Sequence, residues 1–209
     1  MLQDKTLNGV TTKLQTAGTV GFLALIFGAH LDAQEALFVA LGITFAAVAD
    51  QVAYRGGLGA LLVDSAGRVL DTHYSRRVAV HEAGHFLVAY LMGICPKAYT
   101  LSAWDAYKKF GAFNVQAGTI FCDAEFQREV QSGKLRGSSL DQFSCVALAG
   151  VASEFLRYGA AEGGTNDIMQ LDALLRALGF TQKKADAEIR WALLNTVMLL
   201  RRYSRLQDR

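Results

Sequence analysis

Ser75-Arg76-Arg77-Val78-Ala79-Val80-His81-Glu82-Ala83-Gly84-His85-Phe86-Leu87-Val88 is the stretch on which the reading of the chain turns. Ser75 is a good helix N-cap, and Gly93 followed by Pro96 marks a stop, so the pattern predicts a helix from Ser75 to about Met92. On such a helix His81 and His85 lie one turn apart and project from one face. Glu82 sits beside the first of them, and the flanks Val78-Ala79-Val80 and Phe86-Leu87-Val88 are apolar enough to be buried.

Two histidines four apart with a glutamate after the first form the His-Glu-x-x-His pattern, which suits one Zn²⁺ ion and a general base. Zinc brings the pKa of its water toward neutrality and stabilises the oxyanion formed on a scissile carbonyl. Glu82 is the group placed to take the proton and pass it to the leaving amine. Gly84 costs the helix about 1 kcal/mol relative to alanine, a cost that close approach of another segment would explain. A catalytic zinc also needs a third protein ligand and an open position. His30 falls in a connector between apolar runs and His73 in the approach to the motif, so a carboxylate on a downstream helix is expected. Glu154 and Asp167 both qualify.

At 209 residues the chain has room for one well-cored unit and a small appendage. It is 52% hydrophobic and 19% charged, which argues against extensive disorder and calls for a search for membrane segments. A formal net charge of +2 without a Lys/Arg block argues against nucleic acid as a partner. Cys95, Cys122 and Cys145 form no CxxC pair and read as buried residues in a reducing compartment. Proline occurs once, at Pro96, so a mainly helical fold is expected.

Between Lys13 and Asp32 lie 18 residues without a formal charge, roughly 27 Å of helix against a hydrocarbon layer of about 30 Å. A second apolar run extends from Ala36 to Ala49 and on to Ala53, and the connector carries Asp32 and Glu35. Together they predict a transmembrane helical hairpin over residues 1–55, with a buried hairpin as the alternative. Lys5 and Lys13 before the pair and Arg55, Arg68, Arg76 and Arg77 after it place the C-terminal part on the cytoplasmic side or its organellar equivalent. A cleavable signal peptide is the less expected reading, because the apolar stretch begins well inside the chain and a second apolar run follows it.

The glycine-rich segment 56–73 is expected to be a linker. Leu101 to Val115 reads as strand and loop, and Ala117 to Cys122 as a strand. Ser139 to Gln142 has capping-box spacing and predicts a helix from Leu140 to Arg157, ending near Gly159. Two more helices are expected, from Thr165 to Leu178 and from Thr181 to Tyr203. The fold class is mainly α with a small β-sheet (α+β).

Taken with Ala149-Gly150-Val151-Ala152-Ser153-Glu154 and Gly163-Gly164-Thr165-Asn166-Asp167-Ile168, the motif His81 to His85 resembles the peptidase domain of the FtsH-type ATP-dependent zinc peptidases. In that family the first of these segments corresponds to a Gly-Gly-x-Ala-Ala-Glu-Glu helix, and the second to a stretch ending Asn-Asp-Leu whose aspartate is the third ligand. The resemblance implies a zincin-like, FtsH-type helical domain over residues 74–209. It implies zinc on His81, His85 and Asp167, with Glu82 as the catalytic base and Glu154 supporting or packing against the site. Ala149 and Phe155 depart from the pattern, and the loop from Gly159 to Asn166 is one residue short. No GxxxxGK[ST] occurs, so the expectation is a chain without its own ATPase module.

In this the chain resembles the stand-alone relatives of plants, algae and cyanobacteria. That likeness implies a chloroplast thylakoid or bacterial membrane, with the peptidase domain on the cytoplasmic or stromal side. The expected function is a membrane-anchored zinc metalloendopeptidase acting on protein or peptide substrates, with a membrane protein complex or a separate ATPase as its partner. Substrate would align along the strand Ala117 to Cys122 by edge addition. The alternative is a non-catalytic zinc-fold subunit or assembly factor of a membrane protein complex.

Overall fold

The computed structural model describes residues 8–28, 30–111, 118–122, 124–132 and 134–207. In chain order the elements are α1 (Asn8–Gly28), α2 (Ala33–Tyr54), α3 (Gly57–Leu70), α4 (Thr72–Leu91), β1 (Cys95–Thr100), α5 (Ala103–Phe110) and β2 (Gly118–Cys122), followed by α6 (Ala124–Ser132), α7 (Gly137–Ala147), α8 (Ala149–Tyr158), α9 (Thr165–Ala177) and α10 (Gln182–Gln207). Mainly helical structure with one two-stranded sheet, β1 beside β2, agrees with the α+β expectation. The chain divides into two compact units. One is built on Thr6–Tyr74 and Thr100–Ala117, the other on Ser75–Tyr99 and Gly118–Arg209.

In the first unit, α2 begins at a capping box. The Asp32 carboxylate accepts from the Glu35 amide at 2.8 Å, and the Glu35 carboxylate from the Asp32 amide at 3.1 Å. The acidic connector therefore starts a helix as well as carrying charge. None of the residues of α2 is buried, and Phe45 and Val52 are 75% and 81% exposed. Among the described residues α2 is the one helix long and apolar enough to cross a membrane. The expected two-span hairpin is corrected on this point. Lys13, Gln15 and Thr16 dilute the first half of α1 below the apolarity of a span.

Two aspartates organise this unit. Asp50, the charge inside the second apolar run, accepts from the amides of Leu58 and Gly59, both at 3.0 Å, and so caps the start of α3. Arg55 (φ 52°) and Gly56 (φ 78°) turn the chain tightly enough for that contact. Asp64 is buried and accepts from the Tyr74 hydroxyl at 2.8 Å, from the Arg68 guanidinium and from the Ala103 amide at 3.0 Å. The stretch expected to be a linker is thus helical over most of its length. The stretch expected as strand and loop holds α5, which Ser102 caps through the Asp105 amide and Gly111 closes in the left-handed conformation. The remainder of that stretch, residues 112–115, lies outside the described residues, as does Ala117 of the expected strand.

Helix α4, which enters the second unit at Ser75, begins at Thr72 rather than Ser75 and ends as expected before Gly93 (φ 78°). The helix expected over Leu140 to Arg157 is two helices, parted at Leu148 (φ −95°, ψ 1°). Ser139 does not cap: α7 starts two residues earlier, and Ser139 is buried within it. Helix α9 matches its expected span, whereas α10 runs to Gln207, past the expected end at Tyr203, where the geometry is non-helical. Leu171 and Leu175 of α9 and Leu200 of α10 are fully buried with Val88 of α4 and Leu148. Each such side chain contributes about 1.5–3 kcal/mol through burial.

Gly84 marks the closest approach of α4 to α8. A Cβ there would meet the Ser153 hydroxyl oxygen at 2.0 Å and the Ala149 carbonyl oxygen at 2.7 Å. Alanine would gain about 1 kcal/mol in helix propensity, but forcing apart two packed backbones costs about 1–3 kcal/mol. Gly84→Ala is therefore expected to lower the urea midpoint of unfolding; a raised midpoint would contradict the close packing.

Candidate metal centre

His81 and His85 leave α4 on one face, with ring centroids 4.9 Å apart and planes at 65°. Each has its Nδ1 against an oxygen acceptor. His81 Nδ1 lies 2.7 Å from Glu154 Oε1 on α8, and His85 Nδ1 lies 2.7 Å from the Val146 carbonyl oxygen on α7. With a proton donated from Nδ1 in each ring, both Nε2 atoms keep a lone pair for a metal. Asp167, in the first turn of α9, brings Oδ2 to 3.0 Å from His81 Nε2 and 3.6 Å from His85 Nε2.

Three potential ligand atoms, one from each of these residues, lie within 4.8 Å of one another. Around a tetrahedral Zn²⁺ with bonds of about 2.0–2.1 Å, donor atoms stand roughly 3.3 Å apart. The two measured separations bracket that value, and two imidazoles with one carboxylate suit zinc. The residues fit the ion.

Three glycines make room for this arrangement. Besides Gly84, a Cβ on Gly150 would fall 2.2 Å from His81 Nε2, so α8 can lie under that ring only as glycine. Gly164 (φ 88°) begins α9, and a Cβ there would meet Val151 at 2.2 Å and His81 at 3.3 Å. Glu82 is buried at 7% exposure, and its carboxylate accepts a hydrogen bond from the Thr119 hydroxyl of β2 at 2.9 Å.

The two carboxylates expected to compete for the third position occupy different sides of the His81 ring. Asp167 faces Nε2, and Glu154 faces Nδ1. Glu154 Oε2 further accepts from the amides of Glu162 at 3.0 Å and Gly163 at 3.4 Å, and lies 3.4 Å from Arg77. His30 and His73 belong to the other unit. Sequence reasoning did not single out Thr119, the Val146 carbonyl or Arg77. Only Arg77 carried a signal, lying four residues before His81 on the same helix face.

Burial acts to lower the pKa of His81, but the hydrogen bonds and negative charges of Asp167 and Glu154 outweigh it, and without metal the value rises to about 10. Burial acts to raise that of Asp167, yet hydrogen bonds from His81 and His85 and their charges hold it well below the usual carboxylate range. Glu154 is held down likewise against its burial, by the His81 hydrogen bond and the loop amides.

Over 123 residues the chain is 31% identical to two proteins of Arabidopsis thaliana, "ATP-dependent zinc metalloprotease FTSH 5, chloroplastic" and "ATP-dependent zinc metalloprotease FTSH 1, chloroplastic". The matched stretch takes in 55% of this chain but 16% of each of those proteins. No family model and no solved structure matches. The comparisons support a distant relationship to FtsH zinc metalloproteases.

The pKa shifts set opposite pH dependences with and without metal. His81, raised from 6.5 to about 10, stabilises the metal-free fold fully below its unfolded value, and that contribution is lost as pH rises toward 10. Zinc needs the deprotonated ring, so its binding strengthens over the same interval and releases a proton. Thermal unfolding between pH 7 and 10 should show the metal-free form losing stability while added zinc stabilises progressively more. A zinc effect that does not change with pH would contradict the His81 assignment.

Proposed function

We propose that this chain is a membrane-anchored zinc metalloendopeptidase that holds its ion on His81, His85 and Asp167 and uses Glu82 as general base. The observation that carries this reading is the pair of histidines with both Nδ1 atoms tied to oxygens and Asp167 Oδ2 at 3.0 and 3.6 Å from their Nε2 atoms. The relationship to proteins named as zinc metalloproteases supports it.

When bound, zinc supplies Lewis-acid chemistry, acidifying a water and polarising the scissile carbonyl. Glu82 takes the proton from the attacking water and delivers it to the departing amine nitrogen. Thr119 holds one oxygen of the Glu82 carboxylate, which limits its rotation. Glu154 keeps the His81 ring in its orientation through Nδ1, and the Val146 carbonyl does the same for His85. An extended peptide would enter beside β2, pairing with its backbone.

The 22-residue helix α2, with none of its residues buried, supports anchorage in a membrane. The basic residues that follow it support a site on the cytoplasmic or stromal side, and the names of the relatives suggest a chloroplast. The substrates are protein or peptide segments near that membrane, and a separate ATPase would be needed to unfold stable ones.

Hydrolysis of an unfolded protein by the zinc-loaded chain, compared with Glu82→Gln, tests the reading. The variant should bind the same amount of zinc and lose about 10²–10⁴-fold in kcat. Equal rates in the two would reject hydrolysis at this site. If Glu82→Gln also leaves assembly of a stoichiometric membrane complex intact, the non-catalytic subunit takes its place.

A further inference from the structure

Arg77 stands one helical turn before His81 on α4, outside the groups assigned to the metal and the reacting atoms. Its Nη1 lies 3.4 Å from Glu154 Oε2 and 3.1 Å from Glu162 Oε2. The guanidinium also stacks over the Tyr158 ring, 4.6 Å from its centroid, and 15% of the side chain is exposed. Glu154 Oε2 meanwhile receives the amides of Glu162 and Gly163, while Oε1 faces His81 Nδ1. One arginine therefore touches the carboxylate that orients the first histidine and a residue of the loop 159–164. That loop ends at Gly164 and leads directly into the turn carrying Asp167.

We propose that Arg77 is a positioning residue for the metal centre: by holding Glu154 and Glu162 together it sets the distance between His81 on α4 and Asp167 on α9. The inference rests on the reading of His81, His85 and Asp167 as ligands. Its physical basis is charge. Glu154 and Glu162 converge on one guanidinium; without it two carboxylates face each other, one of them almost fully buried. The repulsion is relieved most easily by moving the loop, since Glu162 is 38% exposed and Glu154 is held inside the fold. A displaced loop carries Asp167 away from His81 Nε2. Lysine keeps the charge but lacks the planar guanidinium that lies over the Tyr158 ring while its Nη1 meets both carboxylates.

Cobalt(II) binding to the full chain provides the test, because its visible absorption reports coordination geometry without any activity assay. The wild type is expected to bind one ion with the bands of a four-coordinate site. Arg77→Met should weaken binding about 10–100-fold, the range typical for loss of a partner behind a metal ligand, and alter those bands, and Arg77→Lys should recover part of both. A folded Arg77→Met chain with wild-type affinity and spectrum would overturn the positioning role while leaving the ligand assignment standing. Should Arg77→Met fail to fold, Glu162→Gln carries the test: weaker binding supports the role, and unchanged affinity and spectrum overturn it. Absence of cobalt binding by the wild type would overturn ligands and inference together.

Discussion

The Glu154 carboxylate is 2% exposed and lies behind the His81 ring, where it has to be satisfied by the protein itself. An unpaired charge at that depth costs several kcal/mol, and four donors converge to offset it: His81 Nδ1, Arg77 and the amides of Glu162 and Gly163. Each comes from a segment that also builds the site. The imidazole belongs to the first candidate ligand, the arginine comes from the preceding turn of α4, and the amides belong to the loop that leads to Asp167. Satisfying one buried carboxylate thus joins α4, α8 and the start of α9. The glycines at 84, 150 and 164 are the steric counterpart, since a methyl group at any of them would enter space held by Ser153, His81 or Val151.

In the other unit, charges sit within apolar sequence for comparable reasons. Asp50, inside the otherwise apolar α2, supplies acceptors that the first amides of α3 need. Asp64 gathers a hydroxyl, a guanidinium and the first amide of α5. Asp50 therefore does not argue against an apolar environment for the rest of α2, whose large side chains are mostly exposed in the described structure.

The elements most legible in the sequence were those whose ends carry chemistry of their own. Gly93, Gly159 and Gly179 all adopt positive φ beside a helix end, so α4, α8 and α9 stop where the glycines indicate. The histidine spacing was legible because a helix repeats every 3.6 residues whatever packs on it. Less visible was anything that depends on a partner distant in sequence. The break at Leu148 follows no proline or glycine, and Ser139 has the spacing of a cap while lying inside a helix. Helix α3 formed in a segment whose glycines suggested open chain, because Asp50 and Asp64 supply the contacts that glycine lacks. Residue type and spacing left Glu154 and Asp167 as equals, since each is a carboxylate on or at the start of an expected helix, and the family resemblance alone favoured Asp167. What separates them is which nitrogen of one ring each faces, a distinction that exists only after α8 and α9 have packed against α4.

X-ray absorption at the zinc edge of the purified, zinc-loaded chain tests the centre most directly, because it counts and measures the ligands without reference to any substrate. The expected spectrum shows nitrogen and oxygen donors at about 2.0–2.1 Å, with outer-shell scattering from two imidazoles that drops to one in His85→Ala. A shell of sulfur at about 2.3 Å, or outer-shell scattering unchanged by that substitution, would show that zinc binds elsewhere and would contradict the centre built on α4 and α9.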